Sequence, residues 1–323
     1  TGIKVKYLFL DEVQHIQDWE LFVKSVYDSN LFTKIYITGS NSNLLQNRFS
    51  ALLSGRYFEN EVRPFSLSEV LRAKGFSTLL DCYHNTPDVL RIVDSVLLYG
   101  SFPEIVLSDV DENIKLELLK SYFDSIVQKD CIIYNNIRDT YLFYRLVNYL
   151  LQYVGNRFSI PTVAKALKSN ENTILTYLNY LCDSYICSDV RNFSYSLKET
   201  NRSQHKCYCI DNGLIVANVF RYSPQSGNAL ENLVYNELKN KGYENISFDN
   251  SKTECDFIAY KDGEAHCFQV CYELNEMNSM RELKGFVTDV VSLKSKTLIT
   301  YNQKDTCDDI KVVPIWEWVI SGS

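Results

Sequence analysis

Tyr7-Leu8-Phe9-Leu10-Asp11-Glu12 constrains this chain most. An apolar run ends in two adjacent carboxylates, and a polar, helix-prone segment follows at once. Residues 4–11 read as a buried strand, because a short continuous apolar run bounded by polar residues fits a sheet interior. Such a strand delivers its acids to the carboxyl edge of the sheet. In a nucleotide hydrolase, the first such carboxylate serves a magnesium ion and the second an attacking water, whereas in other chains the same pattern is a strand end with a solvated turn. The 12 glycines include none in a G-x-x-x-x-G-K-[ST] phosphate loop, so the backbone cradle for phosphates is missing from these residues.

The next segments repeat the pattern. Residues 17–29 read as an amphipathic helix with Trp19, Phe22, Val23 and Val26 on one face. Lys34 to Thr38 is a second apolar strand, running into Gly39-Ser40-Asn41-Ser42. Residues 43–54 form a helix closed by Gly55, and Arg56 to Val62 a third strand ended by Pro64. Strands alternating with helices imply a parallel sheet. Its carboxyl edge would gather Asp11, Glu12, Ser40 and Asn41.

Composition narrows the partners. The 40 acids outnumber the 33 bases, for a net charge of −7, so no global field draws the protein to nucleic acid or an anionic membrane. Ten cysteines are scattered without a C-x-x-C pair, and there are only four histidines. This fits buried thiols in a reducing cytoplasm better than zinc sites or disulfides. No apolar run is long enough to span a membrane. A start in mid-element and without methionine is expected of a piece of a longer chain.

YLFLDEVQHIQDWE, YITGSNSNLL and LSGRYFENEVRPFSLSEVL resemble the second half of a bacterial and archaeal AAA-type ATPase family whose C-terminal region is similar to a PD-(D/E)xK nuclease fold. LLYGSFPEIVL, SYFDSIVQKDCI, YCIDNGLIVAN, LENLVYNEL, ECDFIAY, FQVCYEL and PIWEWV follow in the same order. The family's phosphate loop and first two strands are missing here. The resemblance implies an α/β chain in four parts: the C-terminal half of a P-loop AAA-type core (1–65), a helical lid (66–137), a winged helix (138–203) and a restriction-endonuclease-like α/β domain (204–323). It implies ATP and Mg as cofactors, and cytoplasmic location with a possible homo-oligomeric assembly. Asp11 would hold magnesium, Glu12 would polarise water, and Ser40 or Asn41 would sense the terminal phosphate. Arg56, with Arg48 as a weaker candidate, would stabilise phosphoryl charge in this protomer or a neighbour's. Without the phosphate loop, these residues alone are expected to hydrolyse nothing.

Within 66–136, Ser66-Leu67-Ser68-Glu69 has the form of a capping box, and Gly100-Ser101-Phe102-Pro103 breaks the helical pattern. From 138 to 200 the order is helix, turn, helix, then extended chain, as in a winged helix. The second helix, Glu171 to Leu181, carries no lysine or arginine, and residues 139–200 hold six bases against five acids. The electrostatic footprint of DNA binding is absent there, which leaves a protein-contact role beside base reading by Asn172, Thr173, Thr176 and Asn179.

Lys206–Ile210 reads as a strand opening the last domain, and 254–260 with 265–271 as a hairpin turning at 261–264. On the nuclease resemblance, Glu231, Asp256 and Gln269 match metal ligands, while the lysine position is Cys271. A thiol has no fixed positive charge for the transition state. Lys284 or Lys252 would have to take over that role. Val312–Val319, with Trp316 and Trp318 two apart, suits a closing strand. The functions in play are magnesium-dependent ATP hydrolysis by the longer chain with a non-cleaving nuclease-like domain, a non-enzymatic DNA- or protein-binding module, or a metal-dependent DNA nuclease.

Overall fold

The computed structural model describes residues 7–13, 16–41, 52, 55–194, 204–219, 227–250, 253–286 and 291–321. Strand β1 (Tyr7–Leu10), helix α1 (Trp19–Asp28) and strand β2 (Lys34–Ile37) open the chain, and β1 pairs with β2 in parallel. Trp19 and Val23, one turn apart on α1, join Val13 in a small core against Leu10, Ile37 and Tyr57. Phe22 faces outward, because only the i, i+4 pair looks at the sheet. The strand expected over 56–62 is absent. The chain there is irregular, with Phe58 and Val62 exposed. A strand needs a ladder for its backbone groups, and no described residue pairs with this segment. The helix expected over 43–54 lies largely outside the described residues, as does Arg48.

A helical stretch follows: α2 (Leu67–Ala73), α3 (Leu79–His84), α4 (Thr86–Tyr99), α5 (Pro103–Leu107) and α6 (Glu112–Ser125), the last running into a π-helix at Ile126–Ile133. Ser66 and Glu69 form the expected capping box. The break after α4 has a steric cause. Gly100 has φ +72°, and a Cβ there would stand 1.6 Å from the Asp211 carboxylate. That carboxylate accepts hydrogen bonds from the backbone N–H of Ser101 (2.7 Å) and Gly213 (2.8 Å).

Next come α7 (Thr140–Gln152), β3 (Arg157–Phe158), α8 (Ile160–Leu167), α9 (Glu171–Asp183), β4 (Cys187–Arg191) and β5 (His205–Cys209). Strand β5 lies at the centre of an antiparallel three-stranded sheet, between β3 and β4. It therefore does not open the last sheet, as its place in the sequence suggested. Its alternation sends Lys206 and Tyr208 to one face and His205, Cys207 and Cys209 to the other.

Helices α10 (Asn212–Asn218) and α11 (Gly227–Asn240) lead into β6 (Glu244–Asp249), β7 (Cys255–Lys261), β8 (Glu264–Cys271), α12 (Ser279–Lys284), β9 (Leu293–Thr300), β10 (Asp305–Cys307), β11 (Ile310–Pro314) and α13 (Ile315–Ile320). The sheet order is β10-β11-β9-β8-β7-β6, with β8, β9 and β11 parallel. The β7–β8 hairpin forms as the sequence suggested, turning through Asp262 and Gly263, both at positive φ. Trp316 and Trp318 lie on a helix instead of a strand. Trp316 meets Tyr83 edge-on and Trp318 meets Phe268, so α13 is covered on both sides, including by α2. One hydrophobic core runs from Leu67 to Val319, and a second covers the other face of the six-stranded sheet around Ile258, Phe286 and Leu298.

Two buried carboxylates tie these parts together. Glu237 of α11 accepts from the Leu67 N–H (2.8 Å) at the start of α2, and Asp211 anchors Ser101 as above. Burial pushes Glu237 up from 4.5 to about 7 and Asp211 to about 6. A raised carboxyl pKa means that the folded state keeps a proton the unfolded chain has released. Stability then falls as pH rises through that window. Thermal melts of Glu237→Gln are expected to lose less midpoint temperature between pH 5 and pH 8 than the wild type. Gly100→Ala, forced against Asp211 at a φ disfavoured for alanine, is expected to cost about 3 kcal/mol or more in urea melts.

Candidate functional site

At the first strand edge, the parallel register pairs Leu10 with Ile37, so Asp11 stands opposite Thr38. The Thr38 hydroxyl donates to the Asp11 carboxylate, and the Thr38 hydroxyl oxygen in turn accepts from the Glu12 N–H at 3.2 Å. Glu12 takes φ +50°, the left-handed backbone that turns the chain out of the strand. Ser40 turns elsewhere, its hydroxyl donating to Asp130 of the π-helix at 2.7 Å. Asn41 is buried. Arg56 lies over the Tyr27 ring (5.7 Å) and beside Asp28 (3.8 Å). Those residues end α1, and a crossover helix runs back against its strands. Arg56 is therefore at the opposite edge from Asp11. Sequence reasoning missed Thr38, which the parallel register would have indicated: the residue just beyond one strand faces the residue just beyond the other.

The C-terminal candidates are drawn together more tightly. Glu231 is on the buried face of α11, Asp256 on β7 and Gln269 on β8. Between Glu231 and Asp256 sits the ammonium of Lys206, from the neighbouring three-stranded sheet. It donates to Glu231 Oε1 at 2.9 Å and Asp256 Oδ1 at 3.3 Å, and lies 3.4 Å from Glu254 Oε1. The lysine side chain is 2% exposed. Tyr208, two residues along the same strand face, donates to Glu231 Oε1 at 2.6 Å. The two sheets meet where Asn192 bridges to Phe248 and the Phe193 N–H donates to the Phe248 carbonyl at 2.7 Å. That junction brings Lys206 alongside β7.

The remaining polar atoms are also engaged. Asp256 Oδ2 accepts from the Val270 N–H (3.0 Å), and Gln269 Oε1 accepts from the Asp256 N–H (3.0 Å). Gln269 Nε2 donates to Glu282 Oε2 at 3.1 Å. The group lines a cleft of about 950 Å³ that also contains Arg157, Arg281 and Lys284. Cys271 is buried, accepts from the Asn278 amide (3.5 Å), and its thiol is pushed up to about 11, first by burial and then by Glu282. Lys284 is exposed on α12, and Lys252 lies outside the described residues.

Charge at this site is partly offset from within the chain. Burial works against the Lys206 ammonium, but Glu231, Asp256 and Glu254 outweigh it and hold its pKa above the ordinary value. Asp256 is raised, first by burial and next by the Glu231 charge, with Lys206 opposing. Among the described residues, no group of three or more His, Cys, Asp or Glu side chains is spaced to hold a metal ion. Glu231, Asp256 and Gln269 are adjacent, but in this arrangement their oxygens serve the lysine, the tyrosine and backbone N–H groups. They do not fit a metal.

The family described as AAA domain matches residues 2–71, and a domain of unknown function (DUF8612) matches residues 90–225. The uncharacterized protein MJ1544 of Methanocaldococcus jannaschii is 35% identical over 98% of this chain and 75% of its own length. An uncharacterized protein of Haemophilus influenzae is 30% identical over 97% of this chain and 77% of its own. The chain belongs to this family of AAA-domain proteins. A second M. jannaschii member, MJ1637, is 22% identical over 78% of this chain. Membership makes the first strand edge, with Asp11 and Thr38, part of an AAA domain. No helix among the described residues is long and apolar enough to cross a membrane.

Removing one partner of a buried ion pair strands the other charge. Glu231→Ala is expected to cost about 3–5 kcal/mol in denaturant melts, while Glu254→Ala, whose carboxylate is half in solvent, is expected to cost less than 1 kcal/mol or so.

Proposed function

We propose that this chain is the greater part of an ATP-hydrolysing AAA protein whose nuclease-like C-terminal domain does not cleave. The observation that carries the ATPase reading is the strand edge, where the Asp11 carboxylate and the Thr38 hydroxyl converge beside Glu12. A carboxylate and a hydroxyl are the hard oxygen donors magnesium takes, and magnesium would neutralise charge on the transferring phosphoryl group. In this reading Asp11 holds the ion, Glu12 orients the water, and Thr38 joins Ser40 and Asn41 as candidate sensors. This reading requires a phosphate cradle, and no G-x-x-x-x-G-K-[ST] loop occurs in these 323 residues. In this reading Arg56, at the far edge, acts on a neighbouring protomer's nucleotide.

For the middle region, we read α7, α8, α9 and the three-stranded sheet as a winged helix used for protein contact. Helix α9 carries no basic residue, so DNA is a weaker partner. For the last region, the hairpin and α11 have the order of a PD-(D/E)xK domain. Cys271 in the lysine position, with its thiol held neutral by burial, supports lost cleavage.

ATP turnover by the full gene product is expected, and Glu12→Gln is expected to lower it by about 10²-fold or more. Turnover that Glu12→Gln leaves intact would remove the role of Glu12. No turnover at all would leave the binding-module reading.

A further inference from the structure

We propose that the Lys206 ammonium is a built-in cation in the position a divalent ion takes in a nuclease-like centre, so that the cleft between Glu231 and Asp256 stands without metal and becomes a Mn²⁺ site only when the lysine is removed. The proposal rests on the nuclease-like reading of the last region.

The geometry argues for substitution by the chain itself. A cation between an acid on the helix and an acid on the strand needs oxygen donors from both, and the ammonium has them at 2.9 and 3.3 Å. A third carboxylate, Glu254, lies 3.4 Å away. Two buried carboxylates around an empty centre, with the half-exposed Glu254 beside them, would carry a concentrated negative charge that is costly without a positive partner. The lysine supplies one charge, and its flank is closed by the Phe248 ring 5.6 Å from Nζ. A divalent ion arriving at the same point would have to expel a buried ammonium and repel it at close range.

The lysine also comes from the wrong place for cleavage chemistry. It belongs to β5 of the three-stranded sheet, whereas the residue two beyond Gln269 is Cys271. The ammonium is 2% exposed and held by both carboxylates, so it is engaged by the protein's own acids. Lys206 is thus a positioning residue. It offsets the charge of the acids and, through Tyr208 on the same strand face, fixes the α11 helix to the central strand of the neighbouring sheet.

The test compares wild type, Lys206→Met and the double variant Lys206→Met/Glu231→Gln in chelator and in millimolar MnCl₂, reading bound Mn²⁺ by loss of the free-ion EPR signal, together with thermal melts. Wild type is expected to bind no Mn²⁺ in a Glu231-dependent manner and to show no shift in melting. Lys206→Met is expected to melt lower in chelator, to bind a single ion, and to recover in Mn²⁺. The double variant is expected to bind about tenfold or more weakly. If Lys206→Met does not fold in chelator, refolding from urea in MnCl₂ carries the same prediction, and recovery of folded protein supports it. Failure of the variant to bind or refold with Mn²⁺ overturns the proposal but leaves the non-cleaving reading intact. Glu231-dependent Mn²⁺ binding by wild type overturns it too, and Mn²⁺-dependent DNA nicking by wild type removes both.

Discussion

Taking an ammonium out of water costs several kcal/mol even after the protein relaxes around it. Lys206 meets that cost with hydrogen bonds to two carboxylates, a third acid alongside and an aromatic face. The interaction joins two sheets that also meet at a short backbone bridge of Asn192 and Phe248. Around it, α11 grips β5 a second time, through the Asn232 amide on both backbone groups of Cys209. The continuous core from Leu67 to Val319 fits this picture. The helices, the three-stranded sheet and the six-stranded sheet share one apolar interior, with buried polar clasps at Lys206, Asp211 and Glu237.

The first strand pair is built on a different scale. Its core is Val13, Trp19 and Val23. Ser40, at the end of β2, links it to Asp130 of the π-helix. A π-helix is a costly backbone choice that recurs at functional positions. A hydroxyl at the end of this strand that is bonded to the helical region connects the first strand edge to the remaining chain.

Much of this was legible in the sequence because the signals were local. The apolar runs of β1 and β2, the Ser66 capping box, and the hairpin turn through Asp262 and Gly263 each follow from a few neighbouring residues. What the sequence obscured depends on distant partners. Arg56 to Val62 has the composition of a strand, but a strand exists only with a ladder beside it. Trp316 and Trp318 alternate like a strand face, yet α13 buries residues on both sides, so period two carried no information about conformation. Lys206 looked like an ordinary strand residue. Its one available signal was a lysine among the apolar and aromatic residues of His205 to Cys209, where a charge demands a buried counter-charge. Thr38 was passed over in favour of Ser40 because register, not residue type, decides which side chain faces Asp11.

The proposed counter-charge to the acids of the C-terminal cleft is a lysine and not a metal ion. A crystal of the wild-type chain soaked in MnCl₂ and measured at the manganese absorption edge tests this directly. The account predicts Lys206 density between Glu231 and Asp256 with no anomalous peak there. A manganese peak between those carboxylates, with the lysine displaced, would contradict it.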